Sequence, residues 1–162
     1  MVCCFLAVLL LIGAGPVLAG GGTGDFGSVH NAKQLQALID GILAYQLKKN
    51  NAASVQQWID GALSTNAGAN AEWFVMGLAQ SGKSYDFSTY AQSLESYLEN
   101  SAAAGAVTRQ KYALALIAAG RGSPFVPSTL ADSTGKQGII SWVFGLHLIN
   151  NGCESREYAA GD

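Results

Sequence analysis

One apolar helix is written three times in this chain: AEWFVMGLAQSG from Ala71, RQKYALALIAAG from Arg109 and SWVFGLHLINNG from Ser141. Each copy runs from an aromatic residue (Trp73, Tyr112, Trp142) through a mostly apolar stretch to a glycine (Gly82, Gly120, Gly152), the residue best suited to end a helix in a left-handed turn. A helix that is apolar nearly all round must be sandwiched between neighbours. Recurrence every thirty to forty residues or so marks stacked helical hairpins, each of which buries one face by leaning on the next. The pattern predicts an all-α fold of consecutive hairpins.

The segments between the copies fit the same scheme. Asn31 with Gln34 has the form of a capping box, and Leu35, Leu38, Ile39, Ile42 and Leu43 then repeat at helical spacing. Ser54 with Gln57 forms a second cap, ahead of Val55, Trp58, Ile59, Ala62 and Leu63 on one face. Asn70 is placed to cap the Trp73 helix and Thr108 the Tyr112 helix. Asp86 opens a helix whose Phe87, Tyr90, Ala91, Leu94, Tyr97 and Leu98 form a stripe, with Gln92, Glu95 and Glu99 left wet. The segment GRGSPFVPST reads as a long loop ending in a short helical turn near Leu130, and residues 137–150 as the last helix. Buried helices thus alternate with amphipathic ones, as in two concentric layers.

Residues 1–19 read as an export signal. Positions 3–14 are continuously apolar, and Pro16-Val17-Leu18-Ala19 ends in a small residue where a signal peptidase reads. The run is short for a membrane span, although no Lys or Arg precedes it, which keeps a retained anchor as the alternative. Residues 20–28 have the composition of a flexible Gly-rich linker, leaving 29–162 as the folded domain. A secreted or extracellular location follows, with attachment to a cell surface as a variant. Removal of the signal leaves Cys153 as the one cysteine, so stability has to come from helix packing rather than an internal disulfide. With 49% hydrophobic and 12% charged residues, the chain has ample material for that. Its net charge of −2 suggests neither nucleic acid nor a membrane contact beyond the signal.

Chemistry is harder to find. There is no Gly-x-Ser-x-Gly elbow, no His-Glu-x-x-His helix and no phosphate loop. His147 and Cys153 lie six residues apart, which is not a same-face spacing, and His30 is remote, so no metal site is expected. Asp60 and Glu72 read as solvated or capping carboxylates rather than an acid/base pair. What remains is a set of rings, Trp58, Trp73, Tyr112 and Trp142 with His147 and Phe74 nearby, able to stack on a ligand or to act as spacers in the core.

The segments EWFVMGLAQSG, RQKYALALIAAG and GIISWVFGLHLINNG resemble those of the terpenoid cyclase and protein prenyltransferase superfamily, most closely its secreted bacterial branch, which is also similar to the cobalamin carriers intrinsic factor and transcobalamin. The resemblance spans about residues 34–157. It implies part of an α/α toroid, about half of one, as in the amino-terminal portion of a longer protein. The Asp-x-Asp-Asp motif of the cyclases, their Gln-x-x-x-Gly-x-Trp repeats and the zinc ligands of the prenyltransferases are not found, so no catalytic residue carries over and no cofactor is expected. Three readings follow: a non-catalytic extracellular binding or scaffolding module for a small molecule, glycan or peptide; the first half of a cyclase-like enzyme; or a cobalamin-type binder. A half-toroid would expose Ile139, Val143 and Leu146, normally covered by the remainder of a longer chain, and would self-associate or be poorly stable.

Overall fold

Two of the three repeated helices stop by the same device. Gly120 and Gly152 hold φ of 70° and 81°. The N–H groups of Gly120 and Arg121 donate to Ile117 O and Leu116 O, both at 2.9 Å, while those of Gly152 and Cys153 donate to Ile149 O at 2.9 Å and Leu148 O at 3.0 Å. These paired bonds satisfy carbonyls that the helix end leaves without partners, in a turn that only glycine enters without strain. Gly82 also has positive φ, 74°.

The computed structural model describes residues 32–101 and 104–154. Within them lie seven α-helices and no strand: α1 (Ala32–Lys49), α2 (Val55–Trp58), α3 (Glu72–Ala79), α4 (Ser88–Asn100), α5 (Ala106–Ala118), α6 (Phe125–Ser133) and α7 (Gly138–Asn150). The export segment, the Gly-rich linker and the Asn31 cap lie outside the described residues. No helix among those described is long and apolar enough to cross a membrane.

Helix α5 is the hub. It packs against α3, α4, α6 and α7, and Tyr112, Ala113, Leu114, Ala115 and Leu116 are buried in succession, as expected for a helix apolar on every side. Small residues let the neighbours approach closely, while Leu116, with Leu94 of α4, Leu130 of α6 and Leu148 of α7, fills the space between them. The three repeated helices therefore stand side by side with α5 in the middle. Helices α4 and α6 each cover it from another direction.

Some local expectations hold and others are corrected. Ser54 Oγ accepts from Gln57 N–H at 3.1 Å, and Gln57 Oε1 accepts from Ala53 N–H at 2.7 Å. Helix α2 then continues into a π-helical turn, Ile59–Leu63. That turn stacks residue i+5 over residue i, so Ser64 Oγ reaches Ile59 O at 2.7 Å. Helix α5 starts at Ala106, ahead of Thr108, with Gly105 as its cap; Val107 N–H is satisfied by Gln137 Oε1 at 3.0 Å. The supposed loop 120–129 contains most of α6. Pro127 is its third residue, where an N–H would have no acceptor within the helix, so proline does no harm there.

Truncating Leu116 to alanine removes a fully buried side chain at the hub, and denaturant unfolding should show a loss of about 2–5 kcal/mol. Ile139→Ala, at an exposed position of α7, should stay within about 0.5 kcal/mol of the parent.

Candidate functional site

Glu72, the first residue of α3, is fully buried. An ionised carboxylate inside a helical core requires complete hydrogen bonding, and this one has it. Oε1 accepts from Gly68 N–H at 2.6 Å and is 3.4 Å from the Tyr90 hydroxyl; Oε2 accepts from Asn70 N–H at 3.0 Å and lies 3.2 Å from Lys111 Nζ. The same lysine donates to Asn70 Oδ1 at 3.3 Å, and the Tyr112 hydroxyl donates to Gly68 O at 2.9 Å. Asn70 is thus not the helix cap the sequence suggests. It has φ 82°, and Glu72 reaches back to bind the loop's N–H groups itself.

Gly68 is fixed from three sides. Its φ is 86°, and any Cβ there would overlap the ring of Tyr97, which stands edge-on to Tyr112 with centroids 5.8 Å apart. Burial, reinforced by the Glu72 charge, holds the Tyr90 hydroxyl well above the usual phenol range. Burial and a hydrogen bond with Tyr97 do the same for Tyr112. All of these groups answer one another, so the cluster is a clamp between α3, α4 and α5. Asp60 has no part in it: it sits on the exposed side of the π turn, accepting from Gln56 Nε2 at 3.0 Å.

The clamp decides what α3 shows to the outside. With Glu72 directed inward, the 100° step of the helix turns Trp73 and Phe74 outward. They are 44% and 38% exposed. Gly77, one turn on, lies in the same exposed sector, and a Cβ added there would meet nothing within 4 Å. Packing does not require this glycine, yet in a helix interior glycine costs about 0.5–1 kcal/mol relative to alanine. Two large rings therefore flank a bare strip of helix backbone.

Across from α3, helix α7 adds a second row. Phe144 stands edge-on to Trp73 at 6.4 Å and to His147 at 6.4 Å, in T-shaped contacts typical of aromatic pairs. Burial lowers the His147 imidazole from its ordinary range, leaving it a neutral ring at pH 7. Ile140, one turn before Phe144, is exposed beside it. Of the five residues singled out from sequence, Trp73 and His147 are joined through Phe144. Trp58 is buried, edge-on to Phe74 at 5.1 Å, and Tyr112 is buried in the clamp. Trp142 lies two positions from Phe144, on the other side of α7, over Gly135. Phe144 and Gly77 lie beyond the first ring of each repeat; spacing from His147 by one helical turn is the sequence signal for Phe144. No group of His, Cys, Asp and Glu suited to a metal occurs among the described residues.

Lys111→Met leaves the fully buried Glu72 carboxylate without its counter-ion, and should lower unfolding free energy by about 3–5 kcal/mol. Alkaline titration tests the clamp separately. Because the folded pKa values of Tyr90 and Tyr112 are raised above the unfolded value of about 10, their contribution to stability is complete below that pH and is lost as pH rises above it. Their phenolate absorbance should appear together with loss of helix signal. No protein-family model, no curated protein and no solved structure matches this chain.

Proposed function

We propose that this protein is a non-catalytic binding module that holds a flat or apolar ligand against the ring-lined surface of α3 and α7. The observation that carries the reading is the pairing of Trp73 and Phe74, held outward by the buried Glu72 clamp, with an open Gly77 one turn on. Exposed aromatic rings on a rigid helix offer large contact area at little entropic cost, and a glycine without a packing role leaves room for close approach. Phe144, Ile140 and the neutral His147 extend the surface, the imidazole adding a polar handle. A glycan, a planar cofactor such as a corrinoid, or an apolar peptide has the matching chemistry. The apolar segment 3–14 and its small-residue ending support a secreted or surface location. The order of hairpins supports an arc of an α/α toroid as the scaffold.

Tryptophan fluorescence is the test, since Trp58 is buried whereas Trp73 and Trp142 are exposed. Titration with a soluble glucan oligosaccharide, cyanocobalamin and an amphipathic peptide should give a saturable change with one of them. The change should vanish in Trp73→Ala and persist in Trp142→Phe. Gly77→Ala should raise stability by about 0.5–1 kcal/mol while weakening binding. Absence of saturation with all three probes, or saturation unaffected by Trp73→Ala, would exclude the proposed surface.

A further inference from the structure

The outer side of α7 is a different surface from the one that faces Trp73. Ile139, Val143 and Leu146 are 83%, 43% and 58% exposed. Their spacing of four and then three residues aligns them in one strip two turns long. Phe144 projects from another side of the helix, toward Trp73 of α3, and His147 lies between it and the strip. Nowhere in Gly138–Asn150 is there an Asp, Glu, Lys or Arg.

We infer that this strip is the contact between two copies of the chain, packed with their α7 helices antiparallel across a two-fold axis beside Val143. Area is the first argument. With the half-exposed Trp142 at its edge, the strip presents on the order of 500 Å² per copy. A pair therefore buries on the order of 1,000 Å², where a specific contact becomes sustainable. Symmetry is the second. Ile139 and Leu146 are equidistant from the middle of the strip, so the antiparallel arrangement sets Ile139 of each copy against Leu146 of the other, the self-complementarity that a two-fold contact requires. Electrostatics is the third. The helix brings no charged side chain to be desolvated or to repel its twin, and antiparallel pairing places each helix's positive end beside the other's negative end.

The competing occupant is the exposed strip Leu38, Ile39 and Ile42 of α1 in a following copy. That contact joins two different surfaces and gives a ring, a filament or a reciprocal pair, each of which I42K would disrupt while the double variant I139K/L146E would not restore it. It also brings Lys33, Asp40, Lys48 and Lys49 of α1 to the edge of an uncharged face.

Sedimentation velocity and light scattering of the full chain over a concentration series decide the matter. A monomer–dimer equilibrium with nothing larger is expected. I139K and L146E should each raise the dimer dissociation constant at least about tenfold, by leaving a charge unpaired in an apolar contact. Their far-UV circular dichroism should match the parent, and so should their melting at concentrations where the parent is monomeric, because both side chains are exposed in the single copy. The double variant I139K/L146E sets the new ammonium of one copy opposite the new carboxylate of the other and should restore most of the dimer. V143C, close to the axis, should yield an additional disulfide-linked dimer on oxidation that the parent chain lacks. The inference is overturned by a chain that is monomeric at every concentration, by a dimer that survives both single substitutions, by failure of the double variant to recover, or by association that I42K abolishes. Binding at Trp73 is read by fluorescence in the same variants and does not depend on the result.

Discussion

The Glu72 carboxylate is the constraint on which the arrangement turns. It takes two N–H bonds from the 66–70 loop, meets Lys111 of α5 and lies against the Tyr90 hydroxyl of α4. Taking a carboxylate and an ammonium out of water is expensive, and their mutual attraction offsets that penalty only when geometry is good and the remaining hydrogen-bond positions are filled. Here they are filled, by backbone on one side and a phenol on the other. An apolar contact would bring α3, α4 and α5 together with slack in register. The clamp fixes the register, because moving any helix by one residue leaves a buried charge exposed to nothing.

From that fixed register the division between core and surface follows. Directing Glu72 inward commits Val75, Met76 and Leu78 to the core and turns Trp73, Phe74 and Gly77 outward. Helix α7 sorts its residues in the same way around Ser141, Gly145 and Leu148. Gly145 has to be glycine, since a Cβ there would press on Thr134, whereas Gly77 meets no such neighbour. One glycine is explained by packing inside the molecule, whereas Gly77, like Gly41 and Gly61, has no neighbour that requires it.

The exposed apolar residues of α7 differ from one side to the other. The side toward α3 joins rings from two helices and has an imidazole at its margin, which suits a ligand that needs orientation as well as contact. The outer strip has only aliphatic side chains and tryptophan, with no polar group to discriminate among partners, which suits a symmetric contact with itself. A helix with apolar residues over most of its circumference reads in sequence as a buried helix. In this molecule α7 is enclosed on one side by α5 and α6, and the remainder of its apolar surface is available for association.

The sequence by itself determined the all-α class and the glycine stops at Gly120 and Gly152, because helical periodicity and left-handed turns are written in residues close together in the chain; α3 ends at Ala79, ahead of Gly82. It also placed the Ser54–Gln57 cap, the exposure of Ile139, Val143 and Leu146 and the solvated nature of Asp60, whereas Glu72, expected beside it as a solvated or capping group, is fully buried against Lys111. The helix within the segment expected as a loop starts at Phe125, because Pro127 falls in its first turn, where no helical acceptor is lost. Asn70 was taken for a cap because its type suits one, although a carboxylate two residues on outcompetes it once Lys111, far along the chain, stands beside that carboxylate. Only tertiary structure sorted the rings, burying Trp58 and Tyr112, exposing Trp73 and joining it to His147 through Phe144. Which side of a uniformly apolar helix meets a neighbour depends on contacts between residues distant in sequence, and periodicity within one helix holds no information about them.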